Sequence, residues 1–230
     1  INYIIIKFFR FINTIKLNYF DLITCTNLAE INYLKEKYKK LNNKLYLLPN
    51  GVSKNMHNSL KIQAKQKTDN ITISYIGNVS NAQNLSIFAK AAGLCPNINF
   101  NIVGIGRDFE NIKYLKTKLN LQNLILHGRV GMQDVLKFYK ETNILYAQLT
   151  KNFSYAVPSK LYEYLSSGKP IIFGGKGQAE LLLKNFENVN IINPDDKKEL
   201  SNCIKSSIDS GFHLKISNFN INKIEQEYIR

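Results

Sequence analysis

The sequence predicts an α/β chain built on a doubly wound parallel sheet, and three observations carry that prediction. Short apolar runs alternate with longer amphipathic ones along almost the whole chain, which is the pattern of βαβ units. Of the 230 residues, 44% are hydrophobic and 11% aromatic, enough for a sizeable core and too many for a disordered segment. At about 150 residues per domain, the length corresponds to roughly one and a half domains.

The elements follow in order. Residues 1–17 read as a helix-like segment, and strands at 20–26 and 44–48 enclose a helix at 28–40. The second strand runs into the turn Pro49-Asn50-Gly51, after which about twenty polar residues precede the next strong strand. A domain boundary is placed there. From residue 71 onward, strands are expected at 71–76, 99–103, 124–127, 144–147, 170–173 and 189–192. Helical patterns lie near 84–94, 109–119, 132–141, 159–167, 178–185 and 197–207. These six strand–helix repeats suffice for one complete doubly wound domain. Asp195 and Asp196 sit where a helix begins, and Gly93 and Gly168 follow helical runs.

Composition narrows the function classes. Thirty-one Lys and Arg against seventeen Asp and Glu leave a formal charge of +14. Either the chain meets an anionic partner (a nucleotide, a phosphorylated lipid, nucleic acid or a membrane surface), or the excess is solvated surface. The joint abundance of Lys, Asn, Ile, Tyr and Phe, as in AT-rich coding sequence, supports the second reading for much of the excess. Cys25, Cys95 and Cys203 are odd in number and lack CxxC spacing, which argues against a disulfide framework. His57, His127 and His213 lie far apart and make no metal-ligand pair at helical spacing. The longest charge-free stretch, 70–89, is too polar to span a bilayer. Residues 1–11 are apolar but interrupted by Lys7 and Arg10, without a signal-peptide cleavage pattern. Without an initiator Met, the chain is expected to begin inside a longer protein or to be a trimmed product.

In open parallel sheets, ligands bind outside the carboxyl ends of the strands, and four loops there carry distinctive residues. Gly77-Asn78-Val79-Ser80 follows a strand, and Gly77 permits close backbone approach. The polar residues beyond it lead to a helix start that can receive an anion. Val103-Gly104-Ile105-Gly106 resembles the opening of a dinucleotide fingerprint, but Phe109 holds the third glycine position and no acidic residue follows at the expected distance. His127-Gly128-Arg129-Val130 is either a nucleobase-facing loop or an ordinary turn. The fourth is Val157-Pro158-Ser159-Lys160-Leu161-Tyr162-Glu163. Pro158 suits a first helical turn with free amides beside Ser159. Lys160 and Glu163, three apart, share one helix face. That pair is either a surface ion pair or a phosphate ligand with a ribose ligand one turn deeper.

Taken together, the motifs resemble one family. Pro-Asn-Gly-Val at 49–52, Tyr-Ile-Gly-Asn at 75–78, Ala-Gln-Asn-Leu at 82–85, Val-Gly-x-Gly at 103–106 and Pro-Ser-Lys-Leu-Tyr-Glu-Tyr-Leu-Ser-Ser-Gly-Lys-Pro-Ile-Ile at 158–172 follow its order and spacing. The chain resembles the C-terminal half of a family 4 glycosyltransferase of GT-B architecture, within a branch that assembles O-antigen or capsule from amino- and deoxyhexoses. The resemblance implies two Rossmann-like domains around a cleft. Residues 1–50 would end the N-terminal, acceptor-binding domain, 51–215 would form the nucleotide-sugar-binding domain, and 216–230 would be a C-terminal crossing helix. It also implies retaining transfer without a bound metal or other cofactor, the donor being a UDP- or GDP-linked sugar. The acceptor would be a polysaccharide or a polyprenyl-linked carrier.

Carried over residue by residue, Glu163 matches the family's ribose-binding second glutamate, Ser159 and Lys160 its diphosphate positions, and Gly77 its glycine loop, with Asn78 beside it. Arg129 and Val130 match the segment flanking the base. Three positions depart from the pattern. Tyr155 stands where the first glutamate of the Glu-x7-Glu motif falls, and Asn78 and Gln83 replace an Arg and a Lys. These exchanges concentrate the phosphate-binding charge on Lys160.

Two other classes compete with this one. A non-catalytic nucleotide-binding remnant or partner subunit would explain a short N-terminal part. A basic nucleic-acid module is not expected, because the charge is spread and no nucleic-acid-binding signature is present. The front segment, with Lys7, Arg10 and Lys16 among aromatics, is either an interdomain helix or a peripheral contact with anionic lipid. The expected location is cytoplasmic, at the inner face of the plasma membrane if that segment binds lipid.

Overall fold

The computed structural model describes residues 3–41, 43–60 and 71–210. The chain divides into two compact units, the first running to Asn50 and the second beginning at Gly51. The expected crossing helix at 216–230 lies outside the described residues.

In the first unit, α1 (Tyr3–Tyr19) precedes β1 (Ile23–Cys25), α2 (Leu28–Lys37), a 3-10 turn (Lys39–Leu41) and β2 (Leu45–Leu47). The two short strands run parallel, with Ile23 opposite Leu45. Reciprocal side-chain bonds start α2: Asn27 Oδ1 accepts from the Glu30 N–H at 3.0 Å, and the Glu30 carboxylate accepts from the Thr26 N–H at 2.8 Å. Together they satisfy two donors at the helix entrance. Phe8, Phe9, Phe11 and Ile15 of α1 are exposed. Among the described residues, no helix is long and apolar enough to cross a membrane.

The second unit opens with α3 (Lys54–Leu60), within the polar stretch after Gly51 for which no element is expected from sequence. This helix buries only His57 and Leu60, too few apolar positions to give a readable periodicity. Then follow β3 (Thr72–Ile76), α4 (Ser86–Ala92), β4 (Asn99–Val103), α5 (Phe109–Lys118), β5 (Leu124–Gly128) and α6 (Met132–Glu141). Next come β6 (Ile144–Gln148), a 3-10 turn (Lys151–Phe153), α7 (Ser159–Ser166), β7 (Ile171–Gly174), α8 (Gln178–Leu183), β8 (Val189–Ile192) and α9 (Lys197–Asp209). The expected strands 99–103 and 189–192 and the expected helix 132–141 agree residue for residue with β4, β8 and α6.

Among the described residues of the second unit, six strands pair in parallel, in the order β5-β4-β3-β6-β7-β8. The fold is therefore the predicted doubly wound α/β sheet. Strand order runs outward in both directions from β3 and β6, so the topological switch point lies between them. On one face Phe88 of α4 stacks on Tyr146 of β6 at 4.9 Å and meets Phe100 of β4 edge-on at 5.0 Å. Ile73, Ile102 and Ile172 of the sheet, Ile112 of α5 and Leu200 and Ile204 of α9 belong to the same buried cluster. Truncating a ring such as Phe88 to Ala in a core of this kind costs about 3–5 kcal/mol.

The alternate residues of β3 serve the opposite face. Ser74 Oγ bonds to Thr142 Oγ1 at 2.5 Å, just beyond α6. Tyr164 of α7 takes both backbone groups of Ile76: its oxygen accepts from the Ile76 N–H at 2.8 Å and its hydroxyl lies 3.1 Å from the Ile76 carbonyl oxygen. The β3–β6 ladder registers only Ile73 with Ile144 and Ser74 with Leu145. A tyrosine hydroxyl thus supplies the hydrogen bonding that the neighbouring strand does not, one residue before Gly77.

Candidate functional site

The carboxyl ends of β3 and β6 feed the two loops that flank the switch point. After β3 the backbone turns at Gly77, with φ of 142°, in the positive-φ region that only glycine enters cheaply. The loop continues the sheet ladder beyond the strands: the Gly77 N–H donates to Val103 O at 2.8 Å and the Val79 N–H to Ile105 O at 3.0 Å. A Cβ on Gly104 would lie 2.0 Å from Gly77 O, and one on Gly106 2.1 Å from Val79 O. The Gly-x-Gly at 104–106 therefore exists to let two loops touch backbone to backbone, which accounts for its fragmentary likeness to a dinucleotide fingerprint.

After β6, the chain passes Tyr155 and enters α7 at Pro158, whose extended backbone hands the first turn to Ser159. Amides of a first helical turn have no intrahelical acceptor and point outward with the positive end of the helix dipole. Ser159 is exposed at this mouth. One residue on, Lys160 reaches back to β3: its ammonium lies 3.9 Å from the centroid of the Tyr75 ring and donates to the Tyr75 hydroxyl. That hydroxyl in turn donates to Asn78 O at 2.5 Å. Gly77 makes the approach possible, since a Cβ there would stand 2.8 Å from Lys160 Nζ.

The ammonium is poorly hydrated against the ring, and burial takes Lys160 down from the ordinary lysine range to about 7, with the Glu163 carboxylate pulling the other way. Among the described residues no carboxylate stands at ion-pair distance from it. Glu163, one turn deeper and half-buried, accepts from the Tyr139 hydroxyl at 3.1 Å. Of the two readings left open for Lys160 and Glu163, a direct surface ion pair is therefore not the one found.

The structure brings Gly77, Asn78, Ser159, Lys160 and Glu163 to the two loops and one helix at the switch point. Arg129 and Val130 follow β5, the edge strand two positions from β3. A chain of backbone contacts reaches them, because the Gly104 N–H donates to Gly128 O at 2.8 Å. Tyr155 is exposed in the β6–α7 loop, its ring 6.3 Å from that of Phe153. Among the described residues, no three His, Cys, Asp or Glu converge in a way that would hold a metal ion.

Sequence reasoning missed the residues that brace these loops. Gln148, buried at the end of β6, accepts from the Tyr146 hydroxyl at 2.8 Å and from the Asp195 N–H at 3.2 Å. Its amide nitrogen donates to Gln83 O at 3.2 Å, Asn84 O at 3.3 Å and Asp195 Oδ1 at 3.1 Å. The Asn84 amide donates to the same Asp195 oxygen at 2.6 Å. Asn84 and Asp195 both sit at positive φ, 38° and 66°, a strain that this network holds in place. A glutamine ending an apolar strand was the only available signal.

An open parallel sheet with a glycine loop and a helix N-terminus facing each other at its switch point defines an α/β domain of the nucleotide-binding type. More particularly, the pattern of the family described as glycosyl transferases group 1 matches residues 56–222, and the chain belongs to that family. A comparison with curated proteins found no match. Solved GT-B glycosyltransferases share the fold. HepE of Anabaena, in complex with UDP and glucose, aligns with a TM-score of 0.66 at 17% identity over 90% of this chain and 59% of its own. A glycosyltransferase from Rickettsia africae gives 0.66 at 15% identity, over 91% of this chain and 64% of its own. WaaG, a glycosyltransferase involved in lipopolysaccharide biosynthesis, gives 0.69 at 14% identity, over 84% of this chain and 55% of its own. This chain therefore spans between about half and two thirds of the length of these relatives.

Proposed function

We propose that the second unit is the donor-binding domain of a retaining, metal-independent glycosyltransferase of the family 4 type. The donor is a UDP- or GDP-linked hexose and the acceptor a cell-surface polysaccharide or a lipid-linked carrier. One observation carries the reading: at the switch point a poorly hydrated ammonium, Lys160, has no carboxylate at ion-pair distance among the described residues and stands beside a glycine loop and the mouth of α7. A diphosphate supplies the counter-charge that this arrangement lacks. The Anabaena neighbour holds UDP and glucose, and in another structure UDP-glucose; membership of the family makes a related donor the natural ligand here.

In this reading Lys160, the Ser159 hydroxyl and the first-turn amides of α7 hold the diphosphate. As the bond from the sugar's anomeric carbon to the phosphate oxygen breaks, negative charge grows on the diphosphate. A cation and helix amides already aimed there stabilise it without reorganising. Glu163 accepts from the ribose hydroxyls. Gly77 and Asn78 let the donor pass close to the backbone, Arg129 and Val130 flank the base, and Tyr155 borders the sugar side. The aromatic and apolar residues exposed on α1, with Lys7 and Lys16, support a peripheral contact with anionic lipid at the cytoplasmic face of a membrane.

Calorimetric titration with UDP, GDP and their sugar conjugates tests the donor site. Binding of one of them, weakened about tenfold or more by Lys160→Ala and by Glu163→Ala, is the expected result. Unchanged affinity in both variants sinks the site assignment, and binding without sugar transfer leaves a non-catalytic binder. Liposome flotation with and without residues 1–19 tests the lipid contact.

A further inference from the structure

We infer that Tyr139 is a positioning residue for the nucleotide: its hydroxyl, donated to Glu163, holds that carboxylate ready for the two ribose hydroxyls. The inference rests on the donor-site reading above and assigns a role to a residue outside the motifs that suggested it.

Tyr139 lies on α6, and its side chain is completely buried. Its hydroxyl donates to Glu163 Oε2 at 3.1 Å. A second tyrosine fixes the ring, since Tyr139 and Tyr164 meet nearly perpendicular, at 79°, with centroids 6.0 Å apart. Tyr164 is in turn locked to both backbone groups of Ile76. An unbroken chain of contacts thus runs from the residue before Gly77, through two buried tyrosines, to the Glu163 carboxylate. Three elements, β3, α6 and α7, meet in it.

This arrangement suits a glutamate that must be still before its ligand arrives. Glu is among the side chains with most rotamer freedom to lose, and a ligand that must freeze it binds more weakly than one that finds it already placed. Tyr139 occupies one carboxylate oxygen. Among the described residues the other, Oε1, takes no protein hydrogen bond, leaving its lone pairs for a ligand donor. A tyrosine suits the task because a buried phenol needs an acceptor itself. Each group therefore satisfies and restrains the other. Burial, with the negative charge of Glu163 adding to it, pushes the Tyr139 hydroxyl well above its usual range, so it stays a donor at every working pH.

The alternative is that Glu163 merely satisfies a buried phenol. Calorimetry on the full chain separates the two, using whichever of UDP and GDP the wild type binds more tightly, together with its 2′,3′-dideoxy analogue. Tyr139→Phe keeps the ring and removes one oxygen. The expected result is about three- to tenfold weaker binding of the ribonucleotide, with less than about twofold change for the dideoxy analogue. In a Glu163→Ala background, Tyr139→Phe should change ribonucleotide affinity by less than about twofold, because its effect passes through the missing carboxylate.

Equal weakening for both nucleotides, or an added loss in the Glu163→Ala background, overturns the inference in favour of a structural role. So does Tyr139→Phe without effect while Glu163→Ala weakens binding; the donor site then stands alone. If Glu163→Ala is also without effect, Glu163 is not the ribose ligand and this inference falls; if Lys160→Ala is without effect too, or the wild type binds neither nucleotide, the donor-site reading falls with it. Should the Phe variant not fold, Tyr139→Met, which also removes the hydroxyl and leaves a flexible apolar side chain, carries the same comparison.

Discussion

The affinity of the second unit for a sugar diphosphate is expected to fall as pH rises through neutrality, and Lys160 sets the size of the fall. Empty, Lys160 titrates at about 7, because burial strips water from its ammonium and, among the described residues, no carboxylate stands at ion-pair distance. With a diphosphate beside it the charged form is favoured, and its pKa returns toward the ordinary lysine value of about 10.4. Only the protonated form offers the counter-charge, so the apparent dissociation constant scales with the inverse of the protonated fraction. That fraction is about 0.9 at pH 6 and about 0.1 at pH 8 for a group titrating near 7. The expected loss of affinity is therefore about tenfold, or ~1.4 kcal/mol.

Calorimetry with the donor sugar conjugate is the suitable assay, because a diphosphate esterified at both ends does not itself change charge over this range. At pH 7, binding should take up about half a proton, read from the dependence of the heat on buffer ionisation. Lys160→Arg, which stays charged throughout, should flatten the pH profile whatever it does to the absolute affinity. Removing the neighbouring carboxylate with Glu163→Ala should move the profile to lower pH, since Glu163 raises the lysine's pKa. A pH-independent affinity in the wild type, with Lys160→Ala still weakening binding, would show that the ammonium stays charged in the empty site and refute the desolvation argument. The same lysine bears on stability with a definite sign. Its folded pKa is depressed, so between about pH 7 and 10 the unfolded chain binds more protons and the empty protein gains stability as pH rises. Lys160→Met should remove that increment from the melting temperature.

Three further substitutions probe the frame of the site. Gly104→Ala places a Cβ 2.0 Å from a backbone oxygen at φ of 132°; a loss of about 3 kcal/mol or more, or failure to fold, is expected in urea denaturation. Gly77→Ala is expected to be milder in stability, about 1–2 kcal/mol, because the atom its Cβ meets is the end of a flexible side chain. Its donor affinity should fall disproportionately, since Lys160 must move, and an unchanged affinity in titration would separate Gly77 from the lysine. Tyr164→Phe strips Ile76 of its hydrogen-bond partner, leaving buried backbone groups unsatisfied at about 1–3 kcal/mol. Denaturation should register that loss, and a neutral result would mean water replaces the hydroxyl.

The contrast between what the sequence reveals and what it hides follows from the range of the forces involved. Strands and helices of the second unit are legible because each buries one face, and burial imposes a period that survives in a single sequence. The helix α3 escapes because it buries His57 and Leu60 and little else. The loop residues Gly77, Ser159, Lys160 and Glu163 are legible as an ordered set, since turn chemistry and helix capping act locally. Their mutual geometry is not, and it changes their meaning. Lys160 and Glu163, three apart on one helix, look like an ion pair, yet the lysine bonds a tyrosine eighty-five residues away and the glutamate one twenty-four residues away.

Nothing in the sequence tells which partners Tyr75, Tyr139 and Tyr164 bond, even though Tyr75 and Tyr164 fall inside the family motifs. Tertiary packing chooses a buried phenol's partner, and any of several acceptors would satisfy it. The same holds for Gln148, four of whose five bonds tie the end of β6 to two loops far away in the chain, at Gln83–Asn84 and Asp195. Local rules thus mark where a ligand is received, while long-range polar contacts between fully buried side chains decide how still the receiving groups stand. Substitutions at Tyr139, Tyr164 and Gln148 should therefore change affinity without touching the ligand, although Tyr139 and Gln148 lie outside every motif read along the chain and the motif holding Tyr164 does not mark its bonds to Ile76.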